Sequence, residues 1–123
     1  MAVKIVKNPI SKNKQLVQHK DLAAGNWSKL SLAEQLGNVG SEINRALNWQ
    51  NKDEKLFKNA GARALELLDL TIADSRWKTR LKELARAREL ICAAVFGGEE
   101  YKTSLDDLNR YFFHFALAAR AGR

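Results

Sequence analysis

From Ser31 to Arg120 the apolar residues fall into four successive stretches that each repeat every three or four positions. A strand alternates with a period of two, whereas a three-and-four repeat lines one face of an α-helix. In the first stretch Leu32, Leu36, Val39, Ile43 and Leu47 share a face. Ser31-Leu32-Ala33-Glu34 ahead of it is a capping box, in which Ser31 takes the Glu34 amide and Glu34 reaches back. Gly37 and Gly40 interrupt the helix. Each costs about 1 kcal/mol of helix propensity relative to alanine, which close approach of a neighbouring backbone would offset.

The second helix is expected from near Asn51 to about Asp74, with Asp53 and Glu54 in its first turn, where acids suit the helix dipole. Its apolar arc, from Leu56 and Phe57 to Leu70 and Ile72, covers more than half the circumference, so it should touch at least two neighbours. The third is expected after Ser75, with a stripe of Trp77, Leu81, Leu84, Arg88, Ile91 and Val95 and a stop at Gly97-Gly98. The link from Asp74 to Arg76 is short enough to force an antiparallel hairpin. The fourth has Ser104 as cap, Asp106 and Asp107 in its first turn, and a stripe of Leu105, Leu108, Phe112, Phe115 and Ala119. A single proline agrees with long uninterrupted helices. The expected fold is all-α: an antiparallel up-and-down four-helix bundle over 27–123, preceded by a basic N-terminal arm over 1–26.

The 21 lysines and arginines exceed the 14 acids, for a net charge of +7. The arm holds Lys4, Lys7, Lys12, Lys14 and Lys20 against Asp21, so it carries +4 of that surplus. A basic arm ahead of a nearly balanced domain suits a polyanion, or simply keeps the chain soluble. The first residues place lysines where a secretory signal would need an apolar core, and no uncharged run approaches the roughly 20 residues of a membrane span. A cytoplasmic protein without a membrane partner is expected, and the lone Cys92 suits a reducing compartment. One cysteine and two histidines, His19 and His114, leave little for a metal centre. A di-iron bundle needs Glu-x-x-His, but Tyr111 stands three residues before His114. No phosphate-loop or dinucleotide glycine motif occurs, so neither cofactor nor metal is expected.

Four sets of residues stand out. Arg88 falls in the middle of an apolar stripe, where a permanently charged guanidinium needs a carboxylate. Glu42 is the first candidate, with Asp69 and Glu66 behind it. Phe113 and Leu117 project away from the fourth stripe and suggest an interface, with a homodimer favoured unless the arm covers them. Lys78, Lys82 and Arg86 recur every fourth residue on the outer face of helix three and can follow a phosphate backbone weakly and non-specifically, although Glu83 and Glu89 lie nearby. Arg110 and His114, one turn apart, have the chemistry of a nucleolytic pair, in which histidine moves a proton and arginine meets phosphate charge.

The stretch from Trp27 to Arg120 resembles a group of uncharacterised prokaryotic four-helix proteins through Ser31-Leu32-Ala33-Glu34-Gln35-Leu36, Gly40-Ser41-Glu42, Ala64-Leu65-Glu66-Leu67-Leu68-Asp69-Leu70, Lys82-Glu83, Arg86-Ala87-Arg88-Glu89 and Tyr111-Phe112. That resemblance implies a fold and no activity. More loosely, the chain is similar to HEPN domains, helical bundles that often dimerise and often act on RNA. Their ribonuclease members carry arginine, four to six residues, then histidine. Here Arg110-Tyr111-Phe112-Phe113-His114 has three between, and a tyrosine follows the arginine. The leading expectation is a small oligomeric binding or adaptor module, associated with RNA and without catalysis. The alternatives are a metal-independent HEPN-type ribonuclease using Arg110 and His114, and a protein partner in a toxin–antitoxin-like pair.

Overall fold

The computed structural model describes residues 25–97 and 104–121. Most of the basic arm, Gly98 of the stop expected for helix three and the Ser104 side chain lie outside the described residues. The fold is an all-α four-helix bundle. A one-turn 3-10 helix, Trp27–Lys29, leads into α1 (Leu32–Trp49) and α2 (Glu54–Ile72). A second 3-10 segment, Ser75–Arg80, leads into α3 (Leu81–Phe96), and α4 (Ser104–Ala121) completes the bundle.

Local chemistry sets the helix ends. Glu34 N–H donates to Ser31 Oγ at 3.1 Å and Ser31 N–H donates to Glu34 Oε1 at 2.9 Å, which completes the capping box of α1. Asn51 turns the chain after α1 at φ 68°, a conformation that asparagine tolerates better than most residues. Asp53 then caps α2 by accepting the Leu56 amide at 3.0 Å.

The core is a contiguous cluster contributed by all four helices. Leu36, Val39 and Ile43 of α1 meet Leu67 and Leu68 of α2, Leu84 and Ile91 of α3, and Leu105 and Phe112 of α4 within it. Each fully buried Leu, Ile or Phe contributes about 1.5–3 kcal/mol of transfer free energy. Glycines set the helix spacing. A Cβ on Gly40 would lie 2.8 Å from Phe112 Cβ, and one on Gly37 would lie 3.3 Å from Ala116 Cα. The expected close backbone approach is therefore α1 against α4, and the two contacts run antiparallel. Gly61 plays the same part between α2 and α3, against Val95.

Helix three departs from expectation twice. Ser75–Arg80 is a 3-10 segment, with non-helical torsions at Trp77 (φ −107°, ψ 26°). The cause is tertiary: Trp77 is turned to hydrogen-bond Gln35 of α1. The inward face of α3 is also rotated from the expected stripe. Leu84, Ala87, Ile91, Ala94 and Val95 are buried, while Leu81 is exposed. Two of these inward residues are small alanines, and Ala87 also lines the side of α3 toward α4. Arg88 therefore stands on the α2 flank, not in the interior.

Arg88 Nε donates to Asp69 Oδ1 at 2.7 Å, with the side chains 42% and 50% exposed. The expected buried pair of Arg88 with Glu42 does not form. Glu42 faces α2 and binds Arg45 Nη1 at 3.1 Å and Arg63 Nη1 at 3.4 Å. An exposed pair such as Arg88–Asp69 is worth about 0–1 kcal/mol, far below a buried one.

Candidate nucleic-acid interface

Three clusters of polar side chains merit comparison. The first closes the end of the bundle where α1 begins. Gln35 is fully buried and uses its whole amide. Its Nε2 donates to the Trp27 carbonyl at 2.8 Å and to Asp74 Oδ2 at 3.0 Å, while its Oε1 accepts Trp77 Nε1 at 3.0 Å. Trp27 Nε1 donates to the buried Thr71 hydroxyl at 3.2 Å. Arg76 donates through Nε and Nη2 to the two Asp74 oxygens, at 3.0 and 2.7 Å, and its Nη2 also reaches the Leu30 carbonyl at 2.8 Å. Hydrogen bonds from the Arg76 side chain hold Asp74 well below the usual carboxylate range, against the opposing effect of burial. A depressed carboxylate contributes stability above its unfolded pKa, near 4, and loses it as pH falls through the folded value. With every polar atom of Gln35 and Asp74 engaged, this cluster fastens Trp27 to the bundle.

The second cluster lies between α3 and α4. A groove of about 350 Å³ is lined by Ala87, Leu90 and Leu108, with Glu83, Arg86, Asp107 and Tyr111 around them. The Tyr111 hydroxyl donates to Glu83, which also accepts Arg80 Nε at 2.8 Å. Burial, then the Glu83 hydrogen bond, pushes the Tyr111 hydroxyl above its ordinary pKa. The same hydrogen bond, with help from Arg80, holds Glu83 below its own. Tyr111 is thus a neutral donor and Glu83 a charged acceptor at neutral pH.

The third cluster runs along the α1/α4 seam. Because Gly37 and Gly40 let α4 approach, Ser41 and Asn44 come to lie beside Asn109, Arg110, Phe113 and Arg120 in a groove of about 440 Å³. A second groove of about 570 Å³ shares Ser41 and Asn44 and continues past Arg45 and Asn48 to Trp49 and Lys52. No aspartate or glutamate lines either groove. Arg45, Lys52, Arg110 and Arg120 supply positive charge, and Asn44, Asn48 and Asn109 supply paired donors and acceptors. Trp49 is 37% and Phe113 52% exposed. Cations, amides and open aromatic rings together match phosphates, base edges and base faces.

The candidates from the sequence are distributed unevenly over these surfaces. Lys78, Lys82 and Arg86 are exposed but do not form one continuous stripe. Lys78 belongs to the 3-10 segment, and Arg80 (φ −106°, ψ 5°) separates it from α3. Arg86 lines the α3/α4 groove together with two carboxylates, Glu83 and Asp107. Arg110 lines the α1/α4 groove and pairs with Asp107, whereas His114 does not line that groove. The suggested nucleolytic pair therefore does not share this groove. Phe113 and Leu117, 46% exposed, do project outward together, and only Phe113 lines the groove.

The sequence reading missed Ser41, Asn44, Asn48 and Lys52. Their signal was available in part, as an acid-free polar strip at three- and four-residue spacing on the outer side of α1. Among the described residues, no group of three or more histidine, cysteine or acidic side chains is placed to hold a metal ion. No helix among them is long and apolar enough to cross a membrane. Compared with protein families, curated proteins and solved structures, the chain matches none.

Proposed function

We propose that this chain is a cytoplasmic binding module, without catalysis of its own, whose α1/α4 face holds nucleic acid. The observation that carries the reading is the pair of adjoining grooves lined by four cations and no carboxylate; Lys52 and Arg120 lead it, since Arg45 and Arg110 are ion-paired with Glu42 and Asp107 outside the lining. The charge of the whole chain points the same way. Trp27 is fastened to Gln35 and Thr71, near the start of α1, and the antiparallel contact of Gly37 with Ala116 brings the end of α4 to that same end of the bundle. Trp27 therefore sits at the Arg120 end of the groove.

The test is a binding titration of the full chain against salt. Each phosphate contact adds about 0.7–0.9 to the slope of log affinity against log salt. Lys52→Glu with Arg120→Glu reverses two charges on the face, and at about 50 mM salt should weaken binding at least tenfold and flatten the slope. Lys78→Glu with Lys82→Glu is the matched control on the other side and should cost about threefold or less, through net charge alone. The opposite ranking, or no binding at low salt, would reject the proposal.

A second reading rests on Phe113 and Leu117, which leave an apolar strip one turn long on the outer side of α4. A second copy of the chain seated there would make a homodimer and cover one wall of the groove. Light scattering after gel filtration separates the two readings. A species of twice the 13.9 kDa chain mass that Leu117→Glu returns to monomer would establish the dimer. A monomer at micromolar concentration leaves the strip open.

A further inference from the structure

Resting on the nucleic-acid reading, we infer that the α1/α4 face takes a single strand rather than a duplex, with bases stacked on Trp49 and Phe113. The first reason is shape. The major groove of a duplex, about 12 Å wide, admits one helix of about 10–12 Å diameter. This face is a seam between two helices packed side by side, bridged at Gly37 and Gly40, and the pair spans about 20 Å. It is too broad to enter either groove of a duplex, and its asparagines cannot reach base edges there.

The second reason is chemical. In a duplex the base faces are stacked and the pairing edges are occupied. Exposed rings such as Trp49 and Phe113 then have nothing to meet, and phosphates would be the sole attraction. A single strand presents all three surfaces at once. Its bases stack on aromatic rings with little regard to sequence. Its free edges match the amides of Asn44 and Asn109, which lie in the groove beside Phe113. Arg110 and Arg120 line the same groove and can meet the backbone.

The third reason is continuity. Ser41 and Asn44 belong to both grooves, so the Phe113 and Trp49 ends form one surface. From Gly37 to Trp49 the α1 helix rises about 18 Å. That accommodates about five stacked nucleotides at about 3.4 Å each.

The experiment is fluorescence anisotropy of the full chain with a labelled strand of about twelve nucleotides, as RNA and as DNA, beside the duplex of the same sequence. Single strands should bind at least tenfold tighter than duplex. Trp49→Ala and Phe113→Ala should each weaken the single strand about tenfold and leave the duplex within about twofold. Trp49→Phe and Phe113→Tyr retain a ring and should restore most of the loss, and thermal melts of each variant check that the bundle is intact. RNA and DNA binding alike is expected from stacking, whereas binding of RNA alone would require a 2′-hydroxyl contact and overturn the stacking account. Equal affinity for strand and duplex, with no effect of either alanine, would overturn this inference while salt-dependent binding left the nucleic-acid reading standing. Failure to bind any nucleic acid at low salt, with Phe113→Ala converting a dimer to monomer, would assign the face to a second copy of the chain and overturn both.

Discussion

Gln35→Leu should lower the melting temperature by about 10–20 °C, although leucine has nearly the volume of glutamine and the site is fully buried. Leucine leaves the Trp77 indole N–H without its partner, takes one of two donors from the Trp27 carbonyl, which keeps the Leu30 N–H at 3.1 Å, and removes one of the donors to Asp74. A polar group stranded in this way costs about 1–3 kcal/mol, so the Trp77 N–H, with a weakened Trp27 carbonyl and Asp74, should cost about 2–3 kcal/mol. For a domain of this size, 1 kcal/mol moves the midpoint by about 4–8 °C. Arg76 keeps Asp74 charged in the variant, so the loss should appear at neutral pH. A variant that melts within a few degrees of the parent would show that Trp27 is not held through Gln35.

Gly61→Val should destabilise the bundle by about 3 kcal/mol or more, read by chemical denaturation. A Cβ at Gly61 would lie 2.6 and 2.7 Å from the two Val95 methyls, well inside van der Waals contact. Valine in a helix has essentially one rotamer, so Val95 cannot turn away and α3 must move off α2. Overpacking of this kind typically costs about 1–3 kcal/mol, and the two further methyls of valine add to it. Helix propensity works the other way and recovers less than 1 kcal/mol. Val95→Ala alone should also destabilise, by opening a cavity. Together the two substitutions should cost less than their sum, because the alanine makes the room that the new side chain needs. Strict additivity would mean that the two helices are not in contact at this point.

The four helices were readable from the sequence because a three-and-four repeat and a capping box are local properties of the chain. The close approach at Gly37 and Gly40 was readable for a related reason: a glycine that weakens a helix needs a compensation, and packing supplies it. What failed depended on neighbours. Arg88 was placed inside because it stood between Leu84 and Ile91, yet Ala87 and Ala94 are the residues turned inward. Small side chains carry little hydrophobic signal, so which face of α3 is buried is settled by its neighbours rather than by its own repeat. The 3-10 turn at Ser75–Arg80 follows from a hydrogen bond between Trp77 and Gln35, 42 residues apart. The candidate face was hidden for the same reason. Asn44 and Asn109 are unremarkable until α1 and α4 are known to be adjacent, whereas the outward projection of Phe113 and Leu117 could be read from α4 alone.

The central claim, that the α1/α4 seam is the working surface, is tested most directly by mapping. Amide spectra of the isotope-labelled full chain would be followed while a single-stranded oligonucleotide is added at low salt. The account predicts shifts in the side-chain amides of Asn44, Asn48 and Asn109, in the Trp49 indole N–H and in the backbone around Ser41 and Phe113. It also predicts that Lys78, Lys82 and Arg86 stay near their starting positions. Shifts concentrated on α3, with the seam unmoved, would contradict it.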